Sequence, residues 1–209
     1  MSTSTPLAPA ILAPPHARHV FTSESVSEGH PDKVCDFIAD SVLDAHLAED
    51  PDARVACEVL CKGGEVVLAG EITSRATVDH AAVVREAIRA IGYTDPGEAF
   101  TADGVRVTEW LSQQAPEIAQ GVDRGGAGDQ GLMFGYATDE TPALMPLPVL
   151  LAHALARRLA EDRRSGRTPW LRPDAKTQVS VAYDAATERP AAVRTVLVST
   201  QHAPDVPQD

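Results

Sequence analysis

Aromatic residues are scarce in this chain: four Phe, three Tyr and two Trp make up 4% of its 209 residues. The core therefore falls to Ala, Val and Leu. Cysteine is rarer still. Its three copies, Cys35, Cys57 and Cys61, are odd in number and argue against a disulfide framework. Cys57 and Cys61 share one face of an expected strand, but no second Cys/His pair stands at ligand spacing. They read as small buried thiols in a reducing, cytoplasmic protein. Positive charge is also short, with 18 Lys and Arg against 30 Asp and Glu, a net charge of −12. That field argues against nucleic acid or an anionic membrane as a partner. An anionic substrate needs a local positive site. Long apolar runs are missing, so no bilayer span is expected. Residues 1–17 are mostly Ser, Thr, Ala and Pro without a basic region and read as a disordered leader.

What is present is ordinary for a soluble protein: 44% hydrophobic and 23% charged residues, enough chain for one large domain or two modest ones. A short strand is expected at 19–22 and a helix from Pro31 to about 49, ended by Asp50-Pro51-Asp52. Strands at 54–61 and 65–74 are joined by Gly63-Gly64 as a hairpin. A helix from about 78 to 91 stops at Gly92, and a strand follows at 104–111. Residues 112–127 are too irregular for a regular element. A further strand is expected at 131–137, a helix at about 148–164, and a second hairpin from 176–183 and 192–201. A hairpin plus an amphipathic helix thus occurs twice, which points to two α+β units.

The segment from Arg18 to Lys33 carries the most chemistry. Pro31 suits a first helical turn, and Val34, Phe37, Ile38 and Val42 follow at helical spacing. A helix start offers free N–H donors and partial positive charge to phosphate oxygens. Asp32 in that turn suits a hard cation, while His30 and Lys33 suit the anion it neutralises. This is the outline of a metal–triphosphate site.

The same segment resembles the N-terminal signature of the S-adenosylmethionine synthetase (methionine adenosyltransferase) family. Three further blocks do so in family order: residues 69–75 around Glu71, the Gly-rich run 126–140, and Trp170 to Lys176. The resemblance implies an α+β fold of pseudo-threefold related sheet-plus-helix domains, truncated before the C-terminal domain. Residues 18–116 would be the N-terminal domain, 117–130 a mobile loop with its Gly-rich connection, and 131–209 part of the central domain. The implied reaction is attack of methionine sulfur on C5′ of ATP, giving S-adenosylmethionine, with the triphosphate then cleaved to pyrophosphate and phosphate. The implied cofactors are Mg²⁺ and K⁺, and the implied assembly is a homodimer or dimer of dimers.

Residue by residue, the resemblance implies that His30 donates to the departing triphosphate and Lys176 balances its charge. Lys33, Asp123 and Asp174 would complete the ATP contacts, and Glu71 and Gln114 would hold methionine. Asp32 would bind Mg²⁺ and Glu58 K⁺, with Glu24 a weaker candidate for the cation cluster. Gln114, Gln120, Asp123 and Arg124 would belong to the mobile loop, and Asp129 and Gln130 would lie near the site. Each has a plainer reading: His30 as a helix cap, Asp32 as a dipole partner, Glu58 as a solvent-facing edge charge, Asp174 and Lys176 as a loop-to-strand turn. The remaining histidines, 16, 19, 46, 80, 153 and 202, lack partner spacing and read as structural or solvated.

Two departures from the family pattern stand out. Asp123-Arg124 runs almost directly into Gly125-Gly126, so the loop is shorter on that side. Family chains are nearly twice as long, and the remaining half carries most of the basic residues that clamp triphosphate. Charge stabilisation of that leaving group is the largest catalytic contribution expected, so the chain alone is expected to be inactive. The alternative is a catalytically incomplete or non-catalytic subunit that dimerises with full-length enzyme.

Overall fold

The computed structural model describes residues 17–115, 125–127 and 130–207. Along these run β1 (Ala17–Val26), α1 (Pro31–Glu49), β2 (Arg54–Lys62), β3 (Glu65–Thr73), α2 (His80–Ile91), β4 (Arg106–Ser112), α3 (Leu147–Arg164), β5 (Leu171–Asp184) and β6 (Pro190–His202). The strands form two three-stranded sheets, ordered β1-β5-β6 and β2-β3-β4. The first is antiparallel throughout. In the second, β3 runs antiparallel to β2 and parallel to β4.

The local signals explain most boundaries. His30 is the N-cap of α1, with its side chain accepting from Asp32 N–H, and Pro31 takes the first turn, where its missing donor costs nothing. Val34, Ile38, Val42 and His46, each four residues on, form the buried stripe of α1. The Asp79 side chain caps α2 through Ala82 N–H, and Gly92, in the left-handed region at φ 113°, closes it. In the hairpin, Lys62 pairs with Glu65, leaving Gly63-Gly64 as the two-residue loop.

Two cores result, and both are poor in aromatics. Val66 and Leu68 on the inner face of β3 meet Val34, Ile38 and Val42 of α1 and Val84, Ala87 and Ile88 of α2. Burying each of these larger aliphatic side chains contributes about 1.5–3 kcal/mol. The second core joins Ala152 of α3 to Val179, Val181 and Tyr183 of β5. Thr177, buried at the same contact, donates its hydroxyl to Ala152 O at 2.8 Å, so no polar group is stranded there.

Three expectations are corrected. The strand at 19–22 extends over Ala17–Val26 because β5 pairs with it almost throughout, so the first strand lies in the sheet of the later segments. The strand expected at 131–137 is absent: these residues are irregular, and Leu132, Met133, Phe134 and Tyr136 are exposed. Its apolar pattern supplies strand propensity but not a partner edge, and an unpaired strand is not stable. The strand expected from 176 begins at Leu171, so the Asp174–Lys176 stretch is strand, not a turn into one. Among the described residues, no helix is long and apolar enough to cross a membrane.

Candidate active site

The β1–β5 pairing creates the site. Its register ends with Val26 opposite Lys176, and Ser27 N–H then donates to Ala175 O at 2.9 Å. The loop from Ser27 to His30 is thereby laid against Pro173–Lys176, nearly 150 residues away in sequence. His30, Asp32, Asp174, Lys176 and Glu24 gather there. The His30 side chain is largely covered, and its Nδ1 accepts from Asp32 N–H at 3.2 Å. In the neutral ring this leaves the proton on Nε2, which is then a donor for an incoming anion. The capping role and a donor role therefore coexist on the two nitrogens.

The charges around it are graded. Asp32 is 86% exposed and lies 3.8 Å from His30 Nδ1. Lys176 Nζ sits 4.0 Å from a Glu24 carboxylate oxygen. Burial pushes the Asp174 carboxyl above its ordinary value, while His30 and Lys176 pull it back. Lys33 bonds Asp36 at 3.0 Å along its own helix, so it is turned away from this group. A cavity of 260 Å³ opens beside Asp174, walled by Gly29, Pro31, Tyr93, Phe100 and Gln201 among others.

Several residues that sequence reasoning passed over brace the loop. Tyr93 donates its hydroxyl to Gly29 O at 2.5 Å. Burial raises the Tyr93 phenol, with Asp174 and Glu98 adding to it, so it stays a donor. Glu28 is clamped by Arg163 and Arg164 at the end of α3. Burial alone would raise its carboxyl, but bonds from Arg164 and Arg163 outweigh that and hold it below the ordinary value. Arg172, one residue before Pro173, pairs with Asp95 at 2.9 Å and with Glu98 at 2.5 Å. The only sequence-level hint of this bracing is the string of small polar residues ahead of Pro31.

Glu58, Glu71 and Gln114 form a second group. Glu58 pairs with Ala69 and Glu71 with Ala56, so both carboxylates stand on the outer face of the β2–β3 pair as diagonal neighbours. Glu58, on the edge strand, is exposed, which removes the cost of a bare carboxylate in an apolar strand. Glu71 is half-buried opposite Ser112, and Gln114 follows two residues later, so the two lie at one end of the sheet. Leu60 and Trp110, 63% and 69% exposed, surround them with apolar surface. This face is opposite the one covered by α1 and α2. Within one chain the two groups therefore do not face each other.

Among the described residues, no three His, Cys, Asp or Glu side chains converge as a complete cation shell. The donor set still suits Mg²⁺, which takes one or two carboxylates and completes its shell with water and substrate phosphate; the exposed Asp32 carboxylate has the chemistry such a ligand needs. For K⁺, Glu58 offers one oxygen-bearing ligand. Asp123, Gln120, Arg124 and Asp129 lie outside the described residues, as does His16; Gln130 is exposed.

Side chains outside the site add two findings. Histidines read as structural have partners that no sequence spacing announced: His46 Nε2 meets His80 Nε2 at 3.0 Å, and His80 Nδ1 meets Glu109 at 2.9 Å. His153 bonds Ser25 and His19 stacks on Tyr183. The cysteines are free and half-buried, not fully buried. Burial raises the Cys61 thiol, and Cys35 beside it raises it further.

Known proteins corroborate the resemblance. Residues 18–116 match the family model for the S-adenosylmethionine synthetase N-terminal domain, and 124–209 that for its central domain. The chain is 52% identical over 203 residues to the S-adenosylmethionine synthase of Akkermansia muciniphila, covering 91% of this chain and 51% of the relative. It is 53% identical over 204 residues to that of Desulforudis audaxviator, with the same coverage. The Sorangium cellulosum enzyme of that name is 55% identical over 196 residues, covering 90% and 46%. The chain thus spans about half the length of the curated relatives it matches.

Proposed function

This chain belongs to the S-adenosylmethionine synthetase family, and from that premise we propose that it carries the nucleotide- and methionine-recognising portion of a methionine adenosyltransferase. The reaction joins methionine sulfur to C5′ of ATP, breaks the C5′–O5′ bond, and releases triphosphate for hydrolysis. The observation that carries the proposal is the convergence of His30, Asp174, Lys176 and Glu24 through the β1–β5 pairing.

His30 Nε2–H donates to the departing triphosphate, whose charge grows as the bond to carbon breaks. Lys176 balances that charge. Asp174 accepts from the ribose hydroxyls, a role its partial burial strengthens. Asp123 and Lys33 complete the nucleotide contacts, which requires Lys33 to release Asp36. Mg²⁺, held by Asp32, would neutralise phosphate oxygens, and K⁺, with Glu58 as one ligand, would support the site; both are cofactors of this reading. Glu71 receives the methionine ammonium, since a carboxylate is the natural partner of an ammonium, and Gln114 contacts the same substrate.

Because the Glu58–Glu71 group and the His30–Asp174 group lie on opposite sides of one sheet, this reading places a complete site between two copies. The apolar surface around Trp110 and Leu60 supports such an assembly. The test is S-adenosylmethionine formation from MgATP, methionine and K⁺ by the purified chain, alone and mixed with the remaining half of a curated relative. Turnover in the mixture that is lost in His30→Ala and in Asp32→Ala supports the reading. Turnover indifferent to both changes, or none in either preparation, overturns it.

A further inference from the structure

We propose that Ser27 is the positioning residue of the nucleotide site, setting the separation of His30 from Asp174; the inference rests on the nucleotide reading above. Ser27 is buried, at 5% exposure, and every polar group it has is used. Its hydroxyl donates to Pro173 O at 2.6 Å and accepts from Ala175 N–H at 2.7 Å. Its own N–H donates to Ala175 O at 2.9 Å, and its carbonyl accepts from His30 N–H at 3.1 Å. One residue thus bonds both peptide neighbours of Asp174 and the backbone of His30.

The need for such a brace follows from the sheet. The pairing of β5 with β6 is irregular between Leu171 and Ala175, so regular ladder bonds lapse across Pro173 and Asp174. Proline has no N–H to offer in any case. On the other side, the β1 register has already ended at Val26. Apart from a 3.5 Å bond from the Thr200 hydroxyl to Asp174 O, the Ser27 hydroxyl takes the place of the missing ladder. Gly29 lets the two segments touch, since a Cβ there would lie 2.3 Å from Pro173 C. Without the hydroxyl, Pro173 O and Ala175 N–H are both left buried and unpaired. Whatever new partners they find, Asp174 stands between them and moves with them.

The experiment compares the wild-type chain with Ser27→Ala, Ser27→Cys and Ser27→Thr. Alanine removes the hydroxyl and leaves its space empty, while cysteine, slightly larger than serine, keeps the space filled but hydrogen-bonds poorly; threonine restores the hydroxyl. Amide shifts of the ¹⁵N-labelled chains, MgATP affinity by calorimetry, and unfolding midpoints are measured together. The expected result is folded Ala and Cys variants that bind MgATP about tenfold more weakly, with threonine within about threefold of wild type. Amide shifts move at His30 and Asp174 together. A cysteine variant that binds as wild type overturns the proposal, as does weakening that merely tracks lost folded protein. If the wild-type chain binds no MgATP, the nucleotide reading fails and the shifts decide Ser27 alone. Shifts reaching both His30 and Asp174 then support positioning, and shifts confined to Pro173 and Ala175 overturn it.

Discussion

Gly29→Ala should damage this protein far more than its single methyl suggests. The new Cβ would lie 2.3 Å from Pro173 C and Cβ and 2.5 Å from Pro173 O. Carbon atoms rest at about 3.5–4.0 Å, so the His30 loop and the β5 segment must part by roughly 1.2 Å. The Ser27 bonds to Pro173 and Ala175, now 2.6 and 2.7 Å, would then exceed the ~3.2 Å limit for a good hydrogen bond. Two buried backbone groups left unpaired cost about 1–3 kcal/mol each, so about 2–6 kcal/mol is lost from a typical total of about 5–15. Urea unfolding should show a midpoint lower by about 1–2 M, and calorimetry should show MgATP binding weakened by about 100-fold. Gly166→Ala is the control: its φ of +71° strains an alanine, but nothing lies within 4 Å, so about 1–2 kcal/mol is expected with nucleotide binding intact. A Gly29→Ala chain that unfolds and binds like wild type would refute the close-approach argument.

Burial, aided by His80, lowers the folded His46 value below 6.5, so the unfolded chain takes the proton first. Stability from this source is whole above about pH 6.5 and drains as pH falls; unfolding of His46→Leu should depend less on pH between about 7 and 5. The Arg75 bonds hold the Asp50 carboxyl far below its ordinary 3.8, so its contribution is present above that value and lost on strong acidification. Asp50→Asn should lower the melting temperature at neutral pH, with the gap from wild type closing in strong acid. Trp110→Glu, on the exposed outer face of β4, should raise the monomer fraction in sedimentation velocity without lowering the melting temperature. Equal association in wild type and variant would remove that face from the assembly.

Local chemistry was legible in the sequence, and long-range pairing was not. Pro31, the Asp50-Pro51-Asp52 break, Gly63-Gly64 and Gly92 mark boundaries because each acts on its own few residues, and those elements formed where expected. The apolar run at 131–137 misled because strand propensity carries no information about whether an edge is on offer. For the same reason nothing in Ala17–Val26 announced β5 as its partner. Yet that pairing brings His30 to Asp174, so the candidate residues could be named from sequence while their convergence could not. His46, His80 and Glu109 come from three different elements, and no spacing rule links them. Ser27 looked like one more polar residue before a helix; only the irregular ladder of β5 reveals what its hydroxyl replaces.

Calorimetric titration of the chain with MgATP measures whether the His30–Asp174–Lys176 group receives a nucleotide. Saturable one-to-one binding is expected, lost in His30→Ala and in Asp174→Ala while both variants still unfold cooperatively, His30→Ala at a somewhat lower midpoint because its helix cap is gone. Binding that survives both substitutions, or no saturable binding by the folded wild-type chain, would contradict the nucleotide reading.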